Sequence, residues 1–258
     1  MKSKILVAIP CYNCSKQIQR VIKKFDEKLL KKIDKILILD NQSKDNTIEK
    51  AKKIINKIKS NKFEILRNNN NYNLGGSHKV AFNYALKNKF DYTAILHGDD
   101  QAETQELNLL LDVATKNPKL EAILGSRFMK GAKLKGYAKI RIWGNKILNL
   151  FFSIITFKIT KDLGSGLNLF KMSELKDKKY LHFANSLTFN IDLLLDYYRK
   201  KSKIKFIPIS WSETDQISNA KAIEIGLIAL KALLKWRINK NKINKNLAKL
   251  DYIFTKIT

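Results

Sequence analysis

Short apolar runs alternate with amphipathic stretches through the first half of this 258-residue chain, and the runs end in polar clusters. Ile5–Ile9, Lys35–Leu39, Phe63–Leu66, Thr93–Leu96 and Ala122–Leu124 are short and rich in apolar, often β-branched residues, which reads as buried strands. Helical patterns separate them. Lys16–Phe25 follows Ser15 as a cap. Asp45 opens a helix to about Lys59, with Ile48, Ala51, Ile54, Ile55 and Ile58 on one face. Ser77–Lys87 follows an Asn/Gly loop at 68–76, and Glu103–Thr115 comes after the fourth strand. This alternation predicts the α/β class, with a mostly parallel central sheet and helices on both faces. Such sheets bind ligands beyond the carboxyl ends of their strands. Pro10–Asn13, Asp40–Ser43 and His97–Gln101 all stand at such ends, so three polar clusters fall on one edge.

After Arg127 the pattern changes. Ile140–Ile159 reads as a mostly apolar helix, Asp162–Gly166 as a turn, Leu167–Phe170 as a strand and Leu187–Tyr198 as a helix. Lys203–Ile209 is a strand closed by Pro208. Ala222–Trp236 is an amphipathic helix flanked by Lys221, Lys231, Lys235 and Arg237, and Asn239–Thr258 is a Lys/Asn-rich tail of uncertain order. The expected organisation is one catalytic domain over residues 1–221, followed by the helix and tail at 222–258. No apolar run reaches the length of a membrane span, and the N-terminus leads directly into a strand, so neither a span nor a signal peptide is expected.

Fifty Lys and Arg against 23 acidic residues give a net charge of +27, which favours anionic partners. The excess is mostly Lys and spread along the chain. It lacks the clustered Arg and interleaved aromatics of many nucleic-acid sites, so nucleic acid is not an expected partner. Cys11 and Cys14 have no second Cys or His pair to complete a zinc site, and a reducing cytoplasm suits them.

The segment His97-Gly98-Asp99-Asp100-Gln101 carries the most chemistry. If strand alternation continues past Leu96, His97, Asp99 and Gln101 point one way. An imidazole, a carboxylate and an amide oxygen on one side could hold a divalent metal with positions left for phosphate oxygens. The structural alternative is an acidic turn before a helix, with Glu103 and Glu106 favouring the helix N-terminus.

In this order the clusters resemble the inverting family 2 glycosyltransferases of GT-A fold, above all the branch of dolichyl- and polyprenyl-phosphate sugar transferases. The resemblance runs from about Lys4 to Lys221. Ile9-Pro10-Cys11-Tyr12-Asn13 resembles the first-strand signature, which lies by the nucleotide base. Asp40-Asn41-Gln42-Ser43-Lys44-Asp45-Asn46-Thr47 is similar to an Asp-Asp-x-Ser-x-Asp-x-Thr motif. There Asp40 would accept hydrogen bonds from base and ribose, Asn41 replaces the second Asp, and Asp45 and Thr47 cap the next helix. Asn73-Leu74-Gly75-Gly76-Ser77 resembles the glycine loop that opens a helix beside the diphosphate, where backbone N–H groups suit phosphate. His97-Gly98-Asp99-Asp100-Gln101 occupies the place of Asp-x-Asp-x-Gln, with His97 in the first position and Asp100 as a spare carboxylate.

Further on, Gly125-Ser126-Arg127-Phe128 resembles a Gly-Ser-Arg-Tyr element, and Arg141 with Gly144-Asn145 is similar to a basic site before a juxtamembrane helix. Asp162-Leu163-Gly164-Ser165-Gly166 resembles the turn lining the acceptor pocket. Asp192 falls where the family has a helical carboxylate facing the site, and Ser218–Lys221 resembles a phosphate-closing loop that lacks its glycine.

The resemblance implies transfer of a sugar from a nucleoside-diphosphate donor, with inversion, to a polyprenyl phosphate or a cell-surface glycan. Asp99, His97 and Gln101 would bind Mn²⁺ or Mg²⁺. Pro10, Tyr12, Asn13, Asp40, Asn41, Ser43, Gly75, Gly76, His97, Gly98 and Asp99 would bind the donor. Arg127, Arg141, Ser165 and Lys221 would bind acceptor or phosphate, and Asp192 would be the base for a hydroxyl acceptor. The apolar 147–157 segment and the 222–236 helix would meet an anionic membrane surface on its cytoplasmic face, or pack in a homodimer. The departures at Asn41 and His97 motivate a rival reading, a non-catalytic anion- or membrane-binding protein on this scaffold.

Overall fold

The computed structural model describes residues 3–215, 222–238 and 251–257. In chain order it contains β1 (Ile5–Cys11), α1 (Gln17–Lys23), α2 (Glu27–Lys32), β2 (Lys35–Asp40), α3 (Thr47–Ile58), β3 (Phe63–Asn68), α4 (Asn73–Lys87), β4 (Tyr92–Leu96), α5 (Leu107–Lys116) and β5 (Ala122–Ser126). Then follow β6 (Leu134–Lys135), α6 (Lys139–Thr156), β7 (Leu167–Lys171), α7 (Phe189–Arg199), β8 (Ile204–Pro208), β9 (Trp211–Ser212), α8 (Ala222–Ile238) and β10 (Phe254–Ile257).

Eight strands form one sheet in the order β10-β3-β2-β1-β4-β7-β5-β8, and β6 and β9 form a small second sheet. β3, β2, β1 and β4 run parallel. β7 is inserted antiparallel between β4 and β5, and β10 pairs antiparallel with the outer edge of β3. The inner strands are covered on both faces, which explains their unbroken apolar runs. Alternate residues divide between two cores: Val7, Ile9, Ile36 and Ile38 face one, and Leu6, Ala8, Leu37 and Leu39 face the other. A third cluster joins Phe152 of α6, Leu194 and Leu195 of α7, and Ala229 and Leu233 of α8.

Three local expectations are corrected. Ser15 does not cap α1; its backbone N–H donates to Asp45 Oδ2 at 3.0 Å and ties the first loop to the second. A separate helix, α2, occupies 27–32, begun by Asp26, whose Oδ1 accepts the Leu29 N–H at 2.8 Å. The tail is not wholly irregular, since Phe254–Ile257 completes the sheet. Tyr72 Oη accepts the Ile253 N–H at 3.1 Å beside that strand.

Candidate active site

A cleft of about 440 Å³ opens where β1, β2, β4 and β5 end, the edge to which the three polar clusters point. Four turns at this edge contain residues in the left-handed region: Asn13 (φ 49°), Gln42 (φ 65°), Asn73 (φ 58°) and Asp100 (φ 57°). Asn and Asp adopt that region more readily than most side chains, and such conformations gather at functional sites. Tyr12, Asn41, Asn73, Leu74 and Ser77 line the polar end. His97, Gly98, Asp99 and Gln101 form the floor, and Arg127, Tyr137 and Arg141 stand beyond it.

His97, Asp99 and Gln101 do line one wall, but strand alternation is not the cause. β4 stops at Leu96, and the left-handed Asp100 turns the chain so that Asp99 faces the cleft and Asp100 faces away. Asp100 is therefore no spare ligand: it binds Arg20 Nε at 2.6 Å and Lys24 Nζ at 3.0 Å. Gly98 is required because a Cβ there would lie 2.5 Å from Cys11 Sγ and 3.1 Å from the Pro10 carbonyl, which accepts the Gly98 N–H. Cys11 and Cys14 are free, buried thiols that pack beneath this turn.

His97 Nδ1 lies 4.0 Å from Asp99 Oδ2, and Nε2 is buried without a partner. Burial, then the Arg127 charge, lowers the His97 pKa to about 4, so the ring is a neutral nitrogen donor at physiological pH. Burial raises Asp99 to about 6, with Asp100 and Glu213 adding repulsion and the Gln101 N–H opposing them. A cation would relieve both penalties. Among the described residues no cluster of three or more His, Cys, Asp or Glu gathers, so this chain offers His97 and Asp99, beside Gln101. Such a set fits a divalent ion completed by diphosphate oxygens and water.

Several expected donor contacts are instead used within the protein. Asp40 is fully buried; its two oxygens meet the Ser43 N–H at 3.3 Å, and Arg67 Nε lies 3.5 Å away. Asn41 lines the cleft but spends its amide on neighbours. Nδ2 donates to Asn71 Oδ1 at 2.7 Å, and Oδ1 accepts from Asn68 Nδ2 and the Tyr72 N–H, both at 2.9 Å. Ser43 Oγ accepts the Asn13 N–H at 3.0 Å, and Asn13 Oδ1 accepts the Lys44 N–H at 2.8 Å. Gly75 and Gly76 serve close packing: added Cβ atoms would lie 2.5 Å from the Ala184 carbonyl and 2.3 Å from Tyr72 Cβ. The Gly75 N–H is taken by the Asn185 carbonyl, so it is not offered to phosphate. Pro10 and Tyr12 remain at the cleft wall.

The acceptor candidates also divide. Arg127 lines the cleft, but its guanidinium is clamped by Asp162, Nε to Oδ2 and Nη2 to Oδ1 at 2.8 Å each, and also donates to the Gly164 carbonyl. Burial opposes the Arg127 charge, yet Asp162 outweighs it and raises the pKa above the ordinary arginine value. Trp211 stacks on Arg127 at 5.1 Å, and Tyr137 lies between Arg127 and Arg141. Arg141 also lines the cleft and pairs with Glu213 at 2.5 Å. Ser165 is buried in its own turn, donating to the Leu167 carbonyl at 3.1 Å. Asp192 does not line the cleft as a base: its Oδ2 accepts the Ala184 N–H at 2.9 Å, while its neighbours Asn190 and Ile191 are the ones that line it. Lys221 lies outside the described residues. Asp162 and Tyr137 were not given these roles from the sequence; the only local signal was an Asp opening a glycine turn and an aromatic before a basic helix.

The model of glycosyl transferase family 2 matches residues 6–176, and the chain belongs to that family. It is a nucleotide-sugar-dependent glycosyltransferase of GT-A fold. The dolichyl-phosphate beta-glucosyltransferase of Saccharomyces cerevisiae is 27% identical over 239 residues, covering 84% of this chain and 70% of that protein. An uncharacterized protein of Methanocaldococcus jannaschii is 25% identical over 242 residues, covering 88% and 98%. In fold, the chain is similar to glucosyl-3-phosphoglycerate synthase from Mycobacterium tuberculosis in complex with UDP. The TM-score is 0.66 at 13% identity, over 90% of this chain and 79% of that one. The same enzyme in complex with Mn²⁺, UDP-glucose and glycerol 3-phosphate gives a TM-score of 0.64 at 14% identity, over 91% and 80%.

Proposed function

We propose that this enzyme transfers a sugar from a nucleoside diphosphate, with inversion, to the phosphate of a polyprenyl lipid. The observation that carries this reading is that, among the described residues, the cleft lining holds a single carboxylate, Asp99, which sits on the metal side. A sugar hydroxyl needs a base to take its proton. A phosphate monoester oxygen is already ionised and needs none.

The shape of the cleft supports the same acceptor. Beyond Arg141 its walls become apolar, with Leu148, Leu163, Ile191, Ile225 and Ala229, and it opens between α6 and α8. Outside that mouth α6 exposes Trp143, Ile147, Leu150, Phe151 and Ile154, and α8 exposes Leu227 and Leu234. The same two helices and the turn after α6 also expose Lys139, Lys146, Lys158, Lys161, Lys231, Lys235 and Arg237. Apolar side chains among cations suit the interface of an anionic membrane. Among the described residues no helix is long and apolar enough to cross one.

In this reading the donor base lies near Tyr12 and its diphosphate near the start of α4, where Asn73, Leu74 and Ser77 line the cleft. Asp99, His97 and Gln101 would hold a divalent cation, which offsets charge developing on the leaving diphosphate when bound. Arg141 keeps guanidinium N–H groups beyond its Glu213 contact for an anionic oxygen. The acceptor oxygen forms the new bond to the anomeric carbon as the old C–O bond breaks, and its electron pair leaves with the diphosphate. Arg127, locked to Asp162, shapes the wall between the two substrates. The yeast relative, a dolichyl-phosphate glucosyltransferase, and the UDP and Mn²⁺ complexes of the structural neighbour support this assignment.

Calorimetry with UDP and GDP, with and without Mn²⁺, tests the donor half. Metal-dependent binding of one nucleotide by the wild type, lost in Asp99→Ala, is expected. Binding of neither nucleotide with any divalent metal would overturn it.

A further inference from the structure

Lys79 is a fully buried cation in α4 that the proposed chemistry does not use. Its Nζ lies near four oxygens: the Leu181 carbonyl at 3.1 Å, the Phe183 carbonyl at 2.7 Å, Asn185 Oδ1 at 2.7 Å and Tyr252 Oη at 2.9 Å. Burying an ammonium is costly unless its protons are fully used. Here three of the four acceptors belong to one loop, residues 181–185, and the fourth comes from the C-terminal segment beside β10. The Tyr252 ring also faces the ammonium at 5.0 Å, and its hydroxyl donates to Asn185 Oδ1 at 2.9 Å.

The same loop is held from its other sides. Asp192 accepts the Ala184 N–H and supplies the charge opposing Lys79. The Asn185 carbonyl takes the Gly75 N–H at 2.8 Å, and Gly75 packs against Ala184 so closely that no Cβ fits between them. Downstream, the chain supplies Leu187, Asn190 and Ile191 to the cleft. One buried side chain thus connects the helix that opens the cleft, the loop that leads to its far wall and the segment just before β10.

We propose that Lys79, latched by Tyr252, is a positioning residue that sets the Leu187–Ile191 wall of the cleft, so that the C-terminal segment is part of the active-site framework. The assignment of this wall to the acceptor rests on the proposed function; the latch itself does not.

The test uses full-length Lys79→Met and the milder Tyr252→Phe, which removes only a hydroxyl. Amide hydrogen exchange is followed without substrates, and nucleotide affinity and acceptor KM are measured separately. Expected are roughly tenfold faster exchange confined to residues 181–191, nucleotide affinity within about twofold of wild type, and a raised acceptor KM, with Tyr252→Phe the weaker of the two. Unchanged exchange at 181–191 in Tyr252→Phe, or acceleration spread evenly over the central sheet, overturns the latch. If the wild type turns over no polyprenyl phosphate, the functional reading fails while the exchange result still decides the latch.

Discussion

Arg127 and Asp162 form a two-pronged ion pair at the cleft wall, with both N–O distances at 2.8 Å and the carboxylate almost fully buried. Removing one member strands the other charge in the protein, at a cost of about 3–5 kcal/mol. Asp162→Ala is therefore expected to lower stability in urea denaturation by about that amount. Arg127→Lys, which keeps the charge and loses the fork, should cost less but still measurably. Equal stability for all three proteins would mean the pair is not formed in solution.

Asn41 stands where a second Asp is usual, and its neighbours have adapted to an amide. Asn71 Oδ1, which accepts from Asn41 Nδ2, also accepts the Asn73 N–H at 2.9 Å, so its amide cannot turn over to donate. Asn41→Asp would set two acceptors against each other. It should lower stability by about 1–3 kcal/mol and weaken donor binding rather than improve it, as read by thermal unfolding and calorimetry.

Gly98→Ala should be destabilising by about 1–3 kcal/mol through overpacking, because its Cβ would meet Cys11 Sγ at 2.5 Å. Cys11→Ala removes the obstructing sulfur, so the double variant should recover part of the loss. A double-mutant cycle with no coupling between the two positions would contradict this packing.

Buried histidines and a buried carboxylate at the cleft act on stability in opposite directions as pH falls, His97 in the same sense as His78. His78 is buried among aromatic rings with Nδ1 on the Leu74 carbonyl, and burial, then His97, lowers its pKa to about 3. The unfolded chain takes up this proton near pH 6.5. Stability is therefore lost as pH falls from about 6.5 towards 3, by up to about 1.4 kcal/mol per unit. Asp99 acts the other way: its folded pKa of about 6 exceeds the unfolded value, so between about pH 4 and 6 it favours the folded state as pH falls. Chemical denaturation at several pH values should show a shallower acid slope in His78→Leu and a steeper one in Asp99→Asn.

Ile154 and Phe151 are exposed apolar side chains on α6, the helix that supplies Arg141, Asn145 and Leu148 to the cleft. Ile154→Ser and Phe151→Ser should reduce sedimentation with vesicles containing acidic phospholipid and leave nucleotide binding intact. Vesicle binding that persists in both variants but vanishes in high salt would assign attachment to the lysines alone.

The sheet was legible because each inner strand is a short apolar run bounded by a polar turn, and a strand covered on both faces has to look that way. The position of the site followed from topology, since polar residues after β1, β2 and β4 must share an edge. Individual roles were harder to read. A motif carboxylate and a carboxylate that holds a loop have the same sequence appearance: Asp99 faces the cleft, whereas Asp100 and Asp192 are turned to Arg20 and to the Ala184 N–H. The Arg127–Asp162 pair and the Lys79 cluster depend on contacts 35 and more than 100 residues apart, which local patterns do not reveal. β10 escaped notice because an edge strand of four residues carries almost no period.

A phosphate on a polyprenyl chain differs from a polyprenyl alcohol and from a glycan in needing no base to accept the sugar. The most direct measurement is transfer of labelled sugar from the nucleotide that binds, offered a polyprenyl phosphate, the corresponding polyprenyl alcohol and a free oligosaccharide in parallel. Organic-extractable label is expected only with the phosphate, and none with Asp99→Ala. Label on the oligosaccharide with none on the polyprenyl phosphate would contradict a phosphate acceptor.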